Sequence, residues 1–116
     1  MPNVPNFSSV PGSWGPSAWV FLHRMSFAYP AEPNDEEIVA AHQFFMSLQW
    51  LLPCAACAMH YAQILSHLPP DVRSRDSLSR WLVEVHNEVN ASMGKPRMTY
   101  EAARTIHTAL PPGMTL

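Results

Sequence analysis

The two cysteines of this 116-residue chain, Cys54 and Cys57, are separated by two alanines within the stretch WLLPCAACAMHYA. A CxxC pair can supply ligands to a metal ion, attach a haem, or form a redox-active disulfide. A closed zinc site needs four ligands, and the sequence offers no second cysteine pair and no histidine pair at zinc-finger spacing. Haem attachment requires histidine directly after the second cysteine, where Ala58 stands. A thioredoxin-like fold places the pair after a strand, whereas the residues before Cys54 have a helical pattern.

The position of the pair favours thiol–disulfide exchange. Pro53 suits the first turn of a helix, so both cysteines are expected near a helix N-terminus. Unpaired N–H groups at such an end stabilise a thiolate and lower its pKa. A thiolate with a second thiol on the next turn can exchange disulfides, and the pair then needs an electron acceptor. Two alternatives stay open: buried cysteines with a packing role only, and a small helical metal-binding or scaffold module with a structural CxxC.

Two further pairs of residues could contribute to a cofactor site. Trp19 and His23 are four residues apart in WGPSAWVFLH, and His86 and Asn90 are four apart in VHNEVNASMGK. Residues at this spacing are neighbours on one face of a helix. Aromatic and imidazole rings offer stacking surfaces, and an asparagine amide can both donate and accept hydrogen bonds. Each residue alone is also compatible with ordinary core packing.

Composition excludes several classes of function. A formal net charge of -2, with only seven Lys and Arg residues, gives no basic patch for nucleic acid. The apolar runs are shorter than the roughly 20 residues of a membrane span, and the first residues lack the pattern of a secretory signal. We therefore predict no nucleic-acid partner and no membrane anchor. Two cysteines do not fix the compartment, which stays unknown at this point.

Proline, glycine and capping residues divide the chain into five predicted helices with short connections, which favours an antiparallel bundle. Asn34 with Glu37 three residues later forms a predicted capping box for the second helix, and Asp76 or Ser77 is the expected cap of the fourth. The predicted core faces are Ile38, Ala41, Phe45, Leu48 and Leu52 in the second helix, Tyr61, Ile64 and Leu68 in the third, and Leu78, Leu82, Val85 and Val89 in the fourth. The helices are expected at about 16–28, 35–52, 53–68, 77–93 and 99–110.

The order of WGPSAWVFLH, PCAAC and WLVEVHNEVNASMGKP closely resembles the Erv/ALR family of FAD-dependent sulfhydryl oxidases, over roughly residues 14–107. The resemblance implies an all-α fold, a four-helix bundle with a short fifth helix and FAD at one end of the bundle. It also implies oxidation of protein thiols to disulfides, with electrons passing through FAD to oxygen to give hydrogen peroxide. The corresponding division of the chain is a flexible leader at 1–13, an oxidase domain at 14–110 and a tail at 111–116.

The resemblance assigns roles to particular residues. Cys57 matches the cysteine next to the flavin ring, and Cys54 matches the outer cysteine that meets substrate thiols. The predicted FAD contacts are Gly15, Trp19, His23 and Tyr29 from the first helix and its end, His86, Asn87, Val89 and Asn90 from the motif HNxVN, and Lys95 from GKP. No metal is expected.

Departures from the family pattern refine the expected partners. Pro16 stands where most members have arginine, and His107 stands where an aromatic residue near the flavin is common. Val83 and Tyr100 occupy the positions of a structural disulfide that many members carry, and the sequence contains no extra shuttle cysteine pair. The resemblance therefore implies a compact form, similar to virus-encoded members, that takes thiols directly at Cys54 or through a separate thioredoxin-like shuttle protein. It implies a homodimer, and an action in host cytoplasm or virion, with the mitochondrial intermembrane space as the alternative.

Overall fold

The computed structural model of the chain describes residues 10–110 and 112–114. These residues form five α-helices and no strand, which confirms the predicted all-α class. Residues 1–9, which include most of the predicted leader 1–13, and parts of the predicted tail 111–116 lie outside this description. The helices are α1 (Pro11–Ala28), α2 (Asp35–Leu51), α3 (Ala55–His67), α4 (Arg75–Ser92) and α5 (Tyr100–Thr108).

The helices pack in two groups, and these groups position the candidate functional residues. α2 and α3 form a hairpin whose short connection carries the start of the CxxC, and α1 packs against both α4 and α5. The core lies where these groups meet, and most of the predicted faces contribute to it. Leu78, Leu82 and Val85 are fully buried, whereas Val89 is half-buried against the same cluster. The buried core consists of Tyr29, Phe45, Tyr61, Ile64, Leu65, Val72, Leu78, Trp81, Leu82 and Val85.

The helix starts show which capping predictions were right. The capping box at α2 is confirmed: the Glu37 N–H donates to Asn34 Oδ1 at 2.8 Å, and the Asn34 N–H donates to Glu37 Oε1 at 2.9 Å. The predicted cap of α4 was wrong, because Ser74 fills that position and its Oγ accepts the Ser77 N–H at 3.0 Å. Asp76 instead pairs with Arg80 one turn later.

Besides α4, two helices begin two or more residues away from their predicted starts. α1 starts at Pro11 rather than about Pro16, since Pro11 fits the first helical position equally well. Pro16 lies inside the exposed start of the helix, where its missing N–H costs one backbone hydrogen bond. α3 starts at Ala55 rather than Pro53, because the Cys54 backbone is extended, with φ -152°, and caps the helix instead of joining it.

The short helix α5 is held on the bundle by noncovalent contacts. Ala103 is fully buried, and the Tyr100 hydroxyl lies 2.8 Å from Ser79 Oγ on α4. The Arg80 guanidinium lies 4.0 Å from the centre of the Tyr100 ring. Tyr100 therefore anchors α5 with its ring and its hydroxyl, at one of the two positions where a structural disulfide is common in the family that the sequence resembles.

Candidate redox and cofactor site

Cys54 and Cys57 are both free thiols at the start of α3, and both are half-buried. Cys54 is the N-cap residue, and its Sγ accepts the backbone N–H of Cys57 at 3.2 Å. A helix begins with N–H groups that have no partner inside the helix, so a sulfur in the cap position supplies one. The CxxC spacing thus produces a thiol whose sulfur faces the positive end of a helix.

The two thiols have opposite proton affinities. The hydrogen bond from the Cys57 side chain lowers the pKa of Cys54, and hydrogen bonds from the backbone N–H groups of Cys57 and Ala56 lower it further. Burial raises the pKa of Cys57 to about 11, and the hydrogen bond and negative charge of Cys54 add to that increase. In the dithiol state Cys54 therefore gives up its proton more readily than Cys57.

Trp19, His23, His86 and His107 form one group of stacked rings, which we call the histidine cluster. The Trp19 and His86 rings are stacked nearly parallel, with centres 3.8 Å apart and an angle of 4° between the planes. His23 Nε2 and His86 Nδ1 share a hydrogen bond of 2.8 Å. The His107 ring stacks on His23 with centres 4.4 Å apart. The two i, i+4 pairs predicted from sequence thus meet through Trp19, His23 and His86.

Protonation of the imidazoles in the histidine cluster is disfavoured. Burial lowers the pKa of His23 to about 3, with smaller contributions from the charges of His107 and His86. Burial also lowers the pKa of His86 to about 4, and the charges of His107 and Lys95 act in the same direction. The pKa of His107 falls because of burial and the charge of Arg24. Protonating any one of them would place a charge among buried rings.

The three other predicted residues of HNxVN are used differently. Asn87 is bound to the α4–α5 connection: its Nδ2 donates to the Met98 carbonyl at 2.8 Å, and its Oδ1 accepts the Met98 N–H at 2.7 Å. Val89 packs against the core. Asn90 is 8% exposed, and among the described residues no hydrogen bond is made by its side-chain amide. Asn87 is thus occupied within the fold, whereas Asn90 has an amide available for a ligand.

Lys95 is positioned by the end of α4. Gly94 has a positive φ of 68°, and its N–H donates to the Ala91 carbonyl at 3.2 Å. The Lys95 N–H donates to the Asn90 carbonyl at 2.8 Å, which completes a Schellman motif that favours glycine at this point. The exposed Lys95 ammonium is close enough to influence the pKa of His86. A positive charge therefore stands beside the histidine cluster.

Gly15 and Tyr29 lie in different surroundings. Gly15 is half-buried, and a side chain at that position would meet no atom within 4 Å, so the backbone there borders open space. Tyr29 is buried in the core, and its hydroxyl donates to the Val72 carbonyl at 2.9 Å and to the Glu37 carbonyl at 3.4 Å. The fold uses the Tyr29 hydroxyl, and a cofactor contact by this residue stays a prediction.

Two structural features were not predicted from the sequence. His107 is only 8% exposed and joins the histidine cluster, at a position where another aromatic residue is common in the family that the sequence resembles. Its spacing of four residues from the buried Ala103 is the signal that could have placed it on the inner face of α5. Trp14 Nε1 is buried, and among the described residues it has no hydrogen-bond partner.

Unpaired polar atoms indicate room for a ligand. His23 Nδ1, in a fully buried side chain, is the second buried nitrogen without a partner among the described residues. Buried polar groups are nearly always satisfied, so such an atom calls for an unseen partner. Stacking rings, the free Asn90 amide and the nearby Lys95 charge would suit an aromatic nucleotide with phosphates. FAD fits this set of donors and ring faces.

A metal centre has less support in the same residues. Across the described part of the chain, no three His, Cys, Asp or Glu side chains are grouped as ligands would be. Within these residues, the CxxC therefore lacks the further protein ligands that a closed zinc site requires.

Among residues 10–110 and 112–114, no helix has the length and apolar character needed to cross a membrane.

Comparison with known proteins agrees with the resemblance seen in the sequence motifs. The sequence model of the Erv1 / Alr family matches residues 16–108. A mimivirus protein named as a probable FAD-linked sulfhydryl oxidase is 36% identical over 106 residues, which cover 88% of this chain and 74% of that protein. The yeast mitochondrial FAD-linked sulfhydryl oxidase ERV1 is 36% identical over 83 residues, which cover 72% of this chain and 44% of the yeast protein.

Solved structures agree with the fold. The yeast Erv1 core superposes with a TM-score of 0.82 at 30% sequence identity, covering 93% of this chain and 89% of that chain. The FAD-binding domain of yeast Erv1 superposes with a TM-score of 0.75 at 33% identity, covering 78% of this chain and 87% of that chain. The similarity thus covers both the CxxC and the histidine cluster.

Proposed function

Because this chain belongs to the Erv1 / Alr family, we propose that it is an FAD-linked sulfhydryl oxidase that converts protein thiols into disulfides. The observation that carries the proposal is the CxxC at the start of α3, where one sulfur caps the helix and the other is half-buried beside it. Bound FAD would supply the redox chemistry that takes two electrons from the dithiol and passes them to oxygen, giving hydrogen peroxide.

We assign the first contact with substrate to Cys54. In the oxidised pair, a substrate thiolate attacks Cys54 Sγ, a substrate–Cys54 disulfide forms, and the Cys54–Cys57 bond breaks with Cys57 leaving as a thiolate that takes up a proton. A second substrate thiolate then attacks the substrate sulfur, and Cys54 leaves with the electron pair. The lowered pKa of Cys54 makes it the better leaving group in this second step. Two substrate thiols become one disulfide, and the protein holds a dithiol.

Cys57 is proposed to face the flavin, since its burial and raised pKa mark it as the inner thiol. Trp19, His86 and Asn90 would hold the adenosine end of FAD, with the unpaired His23 Nδ1 and the Lys95 ammonium as further contacts. The remaining predicted contacts are Gly15, Tyr29, Asn87 and Val89. Of these, Asn87 and Tyr29 would act indirectly, by fixing the backbone groups to which their side chains are hydrogen-bonded.

Two finer statements about partners are also proposals. The chain takes thiols directly at Cys54 or through a separate thioredoxin-like shuttle protein. A homodimer is supported by exposed apolar side chains on α1 and α2, namely Val20, Phe21 and Val39. Sedimentation of the protein and of Phe21→Glu tests the dimer: a monomer in both would contradict it.

The compartment is proposed from the relatives named above. Virus-encoded and mitochondrial proteins both occur among them, and we propose host cytoplasm or virion, with the mitochondrial intermembrane space as the alternative. Locating the tagged chain in the cells where it is produced would distinguish these compartments.

The visible spectrum and oxygen consumption of the purified protein test the function. An oxidase would be yellow, with flavin absorbance at about one FAD per chain, and it would consume oxygen and release hydrogen peroxide when dithiothreitol is added. A colourless protein with bound zinc would instead support the metal-binding alternative. A protein that binds FAD but leaves thiols untouched would contradict the oxidase assignment.

A further inference from the structure

The surface beside Cys54 is apolar and strongly exposed. Trp50 is 81% exposed and Leu51 is 70% exposed, and both lie in the last turn of α2. Met59, in the second turn of α3, is 66% exposed. Single exposed apolar residues are ordinary, but three at one end of a hairpin form a candidate interaction surface. We call Trp50, Leu51 and Met59 the apolar rim.

Chain connectivity places the apolar rim next to the reactive sulfur. Trp50 precedes Cys54 by four residues, so their Cα atoms are within about 14 Å of each other even in extended chain. Met59 follows Cys54 by five residues, most of them in α3, where each residue advances about 1.5 Å. The residues that flank a thiol bound at Cys54 are therefore within reach of this rim.

The apolar rim lies in a long uncharged stretch of the sequence, and this indicates what kind of polypeptide the rim would bind. Residues 38–70 contain no Asp, Glu, Lys or Arg, and this stretch includes nearly all of α2, the whole of α3 and both cysteines. All charged side chains of the chain lie before or after it. Charged residues at interfaces steer and select charged partners. A rim without them offers no attraction to a charged segment and favours an apolar one.

We propose that the apolar rim is a docking surface for the substrate polypeptide and selects cysteines flanked by apolar side chains. This inference rests on the proposed oxidase function. Cysteines are commonly buried when their protein is folded, so thiols with apolar neighbours are exposed in chains that have not yet folded. The enzyme would thus act preferentially on incompletely folded proteins.

The α1–α2 surface is a separate candidate for binding a second copy. Its exposed residues Phe21 and Val39 are distant in sequence from Cys54, and Val39 lies at the opposite end of α2 from Trp50. Eleven residues of helix separate the two, which corresponds to about 16 Å. Val39 is therefore a matched control: an exposed apolar residue on the same helix, away from the dithiol.

The test compares three thiol substrates on FAD-loaded protein by oxygen consumption. The probes are dithiothreitol, a peptide with two cysteines flanked by leucine and phenylalanine, and a peptide of equal length flanked by serine and glycine. We expect Trp50→Ala to lower kcat/KM about tenfold for the apolar peptide, as expected for losing part of an aromatic contact. The values for dithiothreitol and the polar peptide should stay within about twofold, and Val39→Ala should change none of the three.

A binding measurement makes the result independent of turnover. The apolar peptide with both cysteines replaced by serine should inhibit wild-type protein competitively, and Trp50→Ala and Met59→Ala should weaken that inhibition. Equal losses for all three substrates, or no loss for the apolar peptide, would overturn the proposal. A change in sedimentation on replacing Trp50 would assign the rim to a second copy and would also overturn it. Wild-type protein that consumes no oxygen even with dithiothreitol would instead refute the oxidase function itself.

Discussion

The dithiol is formed by residues that are close together in the sequence, whereas the histidine cluster is formed by residues that are far apart in the sequence. Cys54 caps α3 and Cys57 lies in its first turn, and the contact between them joins residues three apart. His23 and His86 meet across 63 residues of sequence, and His107 comes from a third helix. The dithiol is half-exposed, whereas His23 has no exposed surface. One region can therefore change without disturbing the fold, and the other is part of what holds α1, α4 and α5 together.

The two regions also differ in how they handle charge. The dithiol favours a negative charge on Cys54, since the hydrogen bonds from the Cys57 side chain and from the start of α3 lower the pKa of Cys54, whereas that of Cys57 is raised. The histidine cluster excludes charge, with the pKa of His23 lowered to about 3 and that of His86 to about 4. A site that transfers electrons between thiols and a bound aromatic cofactor needs both properties. The following predictions separate them.

Replacing either cysteine should have the largest effect on activity and almost none on the fold. Cys54→Ser and Cys57→Ser should each lower thiol oxidation at least about a thousandfold, because neither half-reaction can proceed with one thiol. Both variants should keep FAD and unfold at nearly the wild-type temperature, since the two side chains are half-exposed. Oxygen consumption and thermal unfolding check this prediction.

The colour of the two variants distinguishes the roles of the cysteines. In Cys54→Ser, the negative charge that helps raise the Cys57 pKa is gone, so the pKa of Cys57 falls and more of it is thiolate. A thiolate against oxidised flavin absorbs at long wavelength, so this variant should be orange and Cys57→Ser plain yellow. The reverse colours would exchange the roles, and no band in either would place the pair away from the flavin.

Replacing His23 should have the opposite effect from replacing a cysteine, because the main loss should be in the free energy of unfolding. His23→Ala removes a fully buried ring and its 2.8 Å contact to His86, and should lower the free energy of unfolding by about 2–4 kcal/mol. The FAD content should fall with it. Urea unfolding of FAD-saturated protein measures the loss. His23→Phe is the control that keeps ring volume, and it should recover most of the stability but not the FAD content. Full FAD content in His23→Phe would remove the imidazole nitrogens from the cofactor site.

The two asparagines of HNxVN provide a matched pair. Asn87→Ala removes two hydrogen bonds to Met98 and should lower the free energy of unfolding by about 2 kcal/mol. Asn90→Ala removes an amide that has no partner in the described residues, so it should weaken FAD retention while the helix content by circular dichroism stays near wild type. The ratio of flavin to protein after gel filtration measures retention. An unchanged ratio in Asn90→Ala would exclude Asn90 from the site.

Acid should destabilise the fold through the histidine cluster. The folded pKa values of His23 and His86 lie below the ordinary value of 6.5, so the unfolded chain binds more protons as the pH falls from about 6.5 toward 4. Stability is therefore present above pH 6.5 and is lost on acidification, by about 1.4 kcal/mol per pH unit for each histidine that stays neutral. Urea unfolding between pH 7.5 and 4.5 measures the slope. His107→Leu should make it shallower, and a flat profile in wild type would contradict the neutral cluster.

The contrast between the two regions also explains what the sequence could predict. The dithiol, the Asn34 capping box and the apolar faces of α2 and α4 follow from spacings of three and four residues, which one helix realises by itself. The contact of His86 with His23 and the stacking of His107 depend on how separate helices pack, which no local spacing specifies. The resemblance to a family supplied the candidate residues, but it could not show that Asn87 is committed to Met98 while the Asn90 amide is free. The local capping pattern predicted the α4 cap at Asp76 or Ser77 rather than at Ser74, because serine and aspartate are both suitable caps and Ser74 has no stronger local signal.

The smallest expected effect concerns how α5 keeps His107 in the histidine cluster. The Tyr100 hydroxyl lies 2.8 Å from Ser79 Oγ, and Ser79 is fully buried, so Tyr100→Phe should cost about 1 kcal/mol. The ring and its contact with Arg80 remain in that variant, so FAD content should fall only slightly. Ser79 Oγ also contacts the Arg75 and Asp76 carbonyls, and a double-mutant cycle with Ser79→Ala separates those bonds from the one to Tyr100. We expect a coupling energy of about 0.5–1.5 kcal/mol from urea unfolding. A coupling near zero would mean that Ala103 and the rings of His107 and Tyr100 hold α5 without help from the hydroxyl.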